Sequence, residues 1–284
     1  MILFFSDGRL GNQFFQYSFL NTISKDNETI LVSNMDEIQR NCNIPNKNFK
    51  NITLNKYASF IIREFVKPFF LMSLVKIKLI GYISQKRLND SALPTFLSIE
   101  GLLPIRLVET DFFQSEKMFS PAKADFSLKQ IYLKKAETIF STFPKGIPKV
   151  FIHVRRGDYL NQVYRGNRGI NLPKSYYIKA INHIENNTEE CFYVFVTDDY
   201  GYVECCFDKI KNKFISSEDM ATDLALMAMC DYGIVSNSSF SWWGAYLMEN
   251  PREVIFPKYW YGWKVKHESH IDIQPDWGTV IDFE

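Results

Sequence analysis

The stretch Lys149–Tyr159, KVFIHVRRGDY, closes a short apolar run with a histidine, two adjacent arginines and an aspartate. Val150, Phe151 and Ile152 read as a strand buried on both faces of a parallel sheet, and Gly157 marks the turn after it. Open α/β sheets bind their ligands just past the carboxyl ends of such strands. In an extended chain His153 and Arg155 face one way and Arg156 the other. One guanidinium can therefore reach a ligand while its neighbour pairs with Asp158 or packs elsewhere. The planar fork of arginine suits phosphate oxygens and stays charged at any working pH. The chemistry this stretch allows is the grip of an anionic, phosphate-bearing ligand; the plain alternative is a surface loop with a local ion pair.

Two other places repeat the design of apolar strand, polar turn and helix. Asp7-Gly8-Arg9-Leu10-Gly11-Asn12-Gln13 follows a first strand at Ile2–Phe5, and its glycines let backbone approach a ligand beside a helix start. Ser236-Asn237-Ser238-Ser239-Phe240-Ser241-Trp242-Trp243-Gly244 follows the apolar YGIV. Its small hydroxyls can cap a helix and equally present amides and Oγ atoms to a phosphate, while Trp242 and Trp243 read as core behind the turn. Neither a G-x-G-x-x-G fingerprint nor a Walker loop occurs.

These segments must be held by a sizeable scaffold. With 284 residues the chain is long enough for two ordinary domains, and 46% hydrophobic content supplies their cores. A net charge of +1 gives no concentrated basic surface for nucleic acid. Five scattered cysteines, without C-x-x-C spacing, indicate neither a disulfide framework nor a zinc site. The first residues carry no signal-peptide pattern, and a cytoplasmic protein is expected. The second half alternates strand and helix, as a doubly wound sheet requires. A domain boundary is read near 145, giving domains 1–145 and 146–284. A helical insert of about residues 60–100 contains the apolar and basic run Phe60–Ile83. Pro68 and several lysines exclude a spanning helix there, so a buried helix pair is expected, with a membrane-surface helix as the alternative.

Taken together, GRLGNQ, HVRRGDY and SNSSFSWWGAYL, with the linking LPKSYYIKAI, resemble the sequence blocks of glycosyltransferase family 11, the α-1,2-fucosyltransferases. The resemblance runs from residue 8 to about 250 and leaves residues 40 to 120 unmatched. The HxRRxD element is shared with α-1,6-fucosyltransferases, and a GR-x-GNQ loop with protein O-fucosyltransferases. The resemblance implies an α/β fold of GT-B type, two Rossmann-like doubly wound domains facing a cleft, with the acceptor served by the N-terminal domain. It implies inverting transfer of L-fucose from GDP-β-L-fucose to the 2-hydroxyl of a terminal β-galactoside. Apart from the resemblance, a chain without a signal pattern and with a basic amphipathic segment suggests synthesis of an O-antigen-like surface polysaccharide on a lipid-linked precursor, with peripheral contact at the inner membrane face. Alternatives are a GDP-fucose transferase of other linkage or acceptor, and a non-catalytic nucleotide-sugar binding protein.

Carried onto this sequence, the resemblance gives Arg155 the GDP diphosphate, places His153 beside the nucleotide and makes Asp158 the holder of the arginine pair. Asn237, Ser238, Ser239 and Phe240 would face the β-phosphate. Arg9 and Asn12 would close over phosphate and sugar. Asp198 and Asp223 would read guanine or ribose. No cofactor and no metal is expected, since Asp198-Asp199 is not the D-x-D triad of metal-dependent transferases. Leu160 to Gly169 lacks the glutamate suspected as base in the α-1,6 relatives. The base is open among Asp158, Asp7 and His153, or none is needed.

Overall fold

A computed structural model describes residues 1–86, 94–267 and 272–283. The chain forms two compact units, Met1–Ser127 and Leu128–Glu284. The sequence reading set this boundary near 145. The helix before that point, α3 (Gln130–Phe140), instead belongs with the second unit, because it packs on α6 (Met220–Ala228) and Lys135 pairs with Glu218 and Asp219.

In the first unit a six-stranded sheet runs β3–β2–β1–β6–β4–β5, where β1 is Ile2–Phe5, β2 Ile30–Ser33, β3 Phe49–Ile52, β4 Gly81–Lys86, β5 Thr95–Ile99 and β6 Arg106–Val108. Only β5 pairs antiparallel, on β4. Helix α1 (Leu10–Ile23) follows β1 and is buried along most of its length by Phe14, Phe15, Tyr17, Phe19 and Leu20. The helix buries polar side chains as well, and Gln13, Gln16 and Asn21 are held there by hydrogen bonds to Ile38, Asp111 and Lys123 among others.

The run over residues 56–76 departs from the expected buried pair. It is one helical segment, α2, made of α-helix Lys56–Ile61, π-helix Ile62–Leu71 and α-helix Met72–Lys76. Pro68 cannot donate a backbone hydrogen bond, and the widened turn absorbs that loss instead of ending the helix. The expected helical insert also stops early, since β4 and β5 occupy its second half. Residues 87–93 of that insert lie outside the described residues.

The second unit is wound around β7 (Lys149–Val154), every residue of which is buried. Fully burying side chains such as Val150, Phe151 and Ile152 is worth about 1.5–3 kcal/mol each. The sheet order is β9–β8–β7–β10–β11–β12, with β8 Phe192–Thr197, β9 Lys213–Ile215, β10 Tyr232–Ile234, β11 Glu253–Pro257 and β12 Thr279–Ile281. All its pairings are parallel. Counted within the unit, this is the 3-2-1-4-5-6 order of nucleotide-binding sheets, whose winding reverses between the first and fourth strands. Here that crevice lies between β7 and β10, the strands that end in the HVRRGD and SNSS segments. Helices α4 (Lys174–Glu185), α5 (Tyr200–Cys206), α6 and α7 (Ser239–Tyr246) complete the winding.

Candidate active site

Two acids at the end of β8 organise the arginine motif at the end of β7. Asp198 Oδ1 accepts the Arg156 backbone N–H at 2.8 Å, and Asp198 Oδ2 lies 2.8 Å from Arg155 Nη1. Arg155 also pairs with Asp158 and sits 5.2 Å from the Tyr159 ring centroid. Arg156 turns away. Its Nε donates to Asp199 Oδ2 at 3.0 Å and its guanidinium stacks 3.6 Å from the Tyr202 ring centroid. Asp158 was expected to hold both arginines; it holds Arg155 alone, because Asp199 and Tyr202 on the neighbouring strand end and helix capture Arg156. Gly157 makes this packing possible. A Cβ on it would come within 2.5 Å of Asp198 Oδ2.

Two of the five N–H donors of Arg155 serve carboxylates, which leaves Nε–H and a second hydrogen on each terminal nitrogen for an anion. Across the crevice, Ser238 caps α7, its Oγ accepting the Phe240 N–H at 3.3 Å. The other N–H groups of the first helical turn have no acceptor within the helix, and they carry the positive end of its dipole. Asn237 is buried and donates from Nδ2 to the Ile170 carbonyl at 2.7 Å. Behind the turn, Trp242 and Trp243 are core, as their sequence context suggested; Trp242 Nε1 donates to the Ile273 carbonyl at 2.8 Å.

His153, buried on β7, bridges the crevice: its Nδ1 is 2.7 Å from Ser236 Oγ on the β10 side. Burial, aided by the Arg155 charge, pushes its pKa down to about 3, so the imidazole is neutral at physiological pH. Asp223 stands in the first turn of α6, buried and bonded to Ser216 Oγ after β9. Burial raises its pKa to about 7, with Asp219 and Glu218 adding to the effect and the Ser216 bond opposing it. Arg155, Asp198, Asp223 and the α7 turn all therefore lie at the carboxyl edge of one sheet. Asp198 is spent on the arginine motif in this structure and Asp223 on Ser216.

The first unit carries its own loop at the carboxyl end of β1. Gly8 adopts a φ of +86°, and a Cβ there would meet Asn12 Nδ2 at 2.4 Å. Asn12 Oδ1 accepts from Gln114 Nε2 at 2.7 Å, which fixes its amide. Arg9 is exposed at the cap of α1. The first amide of α1, on Leu10, is already taken by the Glu37 carboxylate, so this helix start is less open to an anion than its sequence suggested. Asp7 accepts the Gly8 N–H and lies 3.4 Å from Arg63.

Sequence reasoning gave no role to Asp199, Tyr202, Glu37 or Gln114, and it placed Ser236 in the hydroxyl cluster without its contact to His153. The acidic pair Asp198-Asp199 ending a strand was visible in the sequence, but that this strand lies beside the one ending in Arg155-Arg156 was not. The other four depend on long-range packing.

The family model of Glycosyl transferase family 11 matches residues 107–280. The chain belongs to that family. This family 11 chain is 32% identical over 126 residues to the Escherichia coli O-antigen biosynthesis glycosyltransferase WbnK, across 43% of this chain and 42% of that protein. It is 35% identical over 107 residues to an Escherichia coli alpha-1,2-colitosyltransferase, across 34% of this chain and 36% of that protein. The matched stretches thus span less than half the length of these curated relatives. Among solved structures, the NodZ alpha-1,6-fucosyltransferase co-crystallised with GDP superposes with a TM-score of 0.54 at 8% identity, covering 87% of this chain and 92% of that one. The likeness is one of fold: the family 11 chain is of GT-B type, with two Rossmann-like units.

Proposed function

We propose that the protein is an inverting, metal-independent transferase that moves L-fucose from GDP-β-L-fucose to the 2-hydroxyl of a terminal β-galactoside. The setting would be cytoplasmic synthesis of an O-antigen-like surface polysaccharide, and the acceptor a lipid-linked precursor. The observation that carries the reading is the position of Arg155 at the carboxyl end of β7, across the β7–β10 crevice from the amide-rich start of α7. A diphosphate held there meets a fixed cation on one side and a helix dipole on the other.

In this reading the acceptor oxygen attacks C1 of fucose as the bond from C1 to the β-phosphate oxygen breaks, and GDP leaves with the electron pair. Arg155 neutralises the charge that builds on the leaving oxygen; Asp198 and Asp158 hold it in place and keep it from relaxing with the substrate. The α7 amides near Asn237, Ser238, Ser239 and Phe240 share that charge. His153, neutral and fixed by Ser236, serves as a wall and hydrogen-bond partner beside the nucleotide; a pKa near 3 makes it a poor proton acceptor. The acceptor proton then falls to Asp158 or Asp7, or leaves late to water. Asp223 reads guanine or ribose. For Arg9 and Asn12 the reading keeps the roles that the family resemblance gives them, contacts to phosphate and sugar.

A second reading, a colitose donor in place of fucose, is favoured by the identity to the alpha-1,2-colitosyltransferase. Incubation with GDP-fucose and, separately, GDP-colitose, each with a β-galactoside, followed by NMR assignment of the new linkage, tests both. Transfer from neither donor, or a linkage other than α-1,2, overturns the proposal.

A further inference from the structure

Helix α2 exposes Tyr57, Phe60, Ile61, Phe65, Phe69 and Phe70. Lys56–Leu71 contains no buried residue, and near its end the segment joins a core cluster through Val75 with Leu71, Met72 and Leu74. Further attachments are Asn34 donating to Ser59 Oγ at 2.9 Å, Arg63 paired with Asp7 at 3.4 Å, and Lys67, which donates to Thr110 Oγ1 at 2.7 Å and lies 5.9 Å from the Phe5 ring centroid, so these two cations turn towards the protein. On the far side, Phe60, Phe65 and Phe69 form a continuous row, with ring centroids 6.3 and 6.5 Å apart. Tyr57 is 81% exposed, Phe69 69% and Ile77 70%. The ridge does not stop with the helix. The Leu102 and Leu103 amides bond to the Lys78 and Leu79 carbonyls at 2.9 Å, which sets Leu102, 83% exposed, beside Ile77.

Charge identifies what can cover this face. Residues 56–78 carry Lys56, Arg63, Lys67, Lys76 and Lys78 against the single acid Glu64, although the whole chain has a net charge of only +1. Lys56 stands exposed at one end of the phenylalanine row, and Lys76 and Lys78 at the other. A second copy is a poor occupant, because a two-fold contact would set the same cations against themselves. An apolar ridge flanked by lysines instead matches an anionic bilayer, which takes rings into the headgroup and acyl boundary and pairs ammonium groups with lipid phosphates.

We propose that α2 and the Leu102–Leu103 turn form a membrane-docking surface for anionic lipid, with Phe60, Phe65, Phe69 and Ile77 inserted and Lys56, Lys76 and Lys78 at the headgroups. Among the described residues no helix is long and apolar enough to cross a membrane, so the contact is one of lying on the surface. It is independent of which sugar the protein transfers.

Co-sedimentation with vesicles tests it without donor or acceptor. The full chain should pellet with vesicles of phosphatidylglycerol and phosphatidylcholine in equal parts, should stay in solution with phosphatidylcholine alone, and should be released as salt is raised. Replacing Lys76 or Lys78 by Ala should weaken partition about fivefold each. The double variant Phe65→Ser, Phe69→Ser, whose side chains are exposed and whose melting curve should match the parent, should weaken it at least about tenfold. Failure of the parent chain to pellet with either vesicle overturns the proposal. So does unchanged binding by the phenylalanine variant. So does sedimentation velocity showing a dimer that this variant converts to monomer, since the face would then be a self-association surface.

Discussion

Asp198 Oδ2 holds the Arg155 guanidinium at 2.8 Å while its other oxygen accepts the Arg156 backbone N–H at 2.8 Å, so one carboxylate at the end of β8 fixes both the side chain and the backbone of the motif ending β7. Adjacent parallel strands make this possible, since Val196 pairs with His153 and Thr197 with Val154 in register. The sheet thus sets the distance between the two chain ends, and side-chain torsions have little left to decide. An arginine tied on two sides is preorganised, and its electrostatic effect costs no rearrangement when charge develops on a leaving group.

Arg155→Ala should therefore lower kcat by roughly 10²–10³, about 2.7–4 kcal/mol, with a smaller change in donor KM. Arg155→Lys should recover only part of the loss, because a point charge cannot reproduce the fork. Arg156→Ala, with its guanidinium on Tyr202 and Asp199, should act mainly on melting temperature. Steady-state kinetics on folded protein check the order; turnover of Arg155→Ala near that of the parent chain would remove this motif from the chemistry.

Gly157 offers a test by steric displacement. A methyl group there meets Asp198 Oδ2 at 2.5 Å, so Gly157→Ala must push the carboxylate away from Arg155 and Arg156. Overpacking of this kind costs about 1–3 kcal/mol of stability, and kcat should fall with it as Arg155 loses a support. Because both changes act through one contact, adding Asp198→Ala to Gly157→Ala should cost much less than the sum of the single effects. A double-mutant cycle in kcat measures this, and strict additivity would disprove the coupling.

What was legible in the sequence followed local pattern. The strand at Lys149–Val154 stood out because a short continuous apolar run meets a charged turn, and the α7 cap because serines precede two tryptophans. The short strands Arg106–Val108, Glu253–Pro257 and Thr279–Ile281 gave no such signal, being set by register with their neighbours. The phenylalanines of α2 misled for a related reason. A spacing of five and then four residues does not keep one face at the ordinary helical period; the wider π-helical turn over Ile62–Leu71 lines the rings up, and hydrophobicity alone does not say whether that face looks inward. The pairing of Arg156 with Asp199 depends on sheet order, which strand and helix alternation leaves undetermined.

Metal dependence gives a direct check on the charge assignment. In the proposed chemistry Arg155 and the start of α7 do what a divalent ion does in metal-dependent transferases, so activity should survive EDTA with no more than about a twofold change, well under the 1.4 kcal/mol that a tenfold loss represents. Assays with and without EDTA, on protein freed of metal beforehand, read this out. A large loss restored by Mn²⁺ would contradict the assigned roles of both elements.

The last prediction concerns Asp223, where stability and donor binding should move in opposite directions. Burial raises its pKa from 3.8 to about 7, so the folded protein binds a proton there that the unfolded chain has released. Its contribution to stability is therefore complete below about pH 4 and is lost as pH rises through about 7. Asp223→Asn keeps an oxygen to accept from Ser216 Oγ and never ionises. The variant should match the parent chain near pH 4 and exceed it above pH 7 by an amount of order 2–4 kcal/mol, at 1.36 kcal/mol per pKa unit. The neighbours Asp219, Glu218 and Lys135 are the same in both proteins, so the difference between the two melts reports on Asp223. If the carboxylate reads the guanine N1–H and 2-amino group, bound nucleotide stabilises the charged form, and the same substitution should raise donor KM at pH 8 while leaving acceptor KM alone. Thermal melts at pH 4 and 8 with donor titration at pH 8 separate the two effects. A more stable variant with unchanged donor KM would leave Asp223 a purely structural acid and withdraw it from nucleotide recognition.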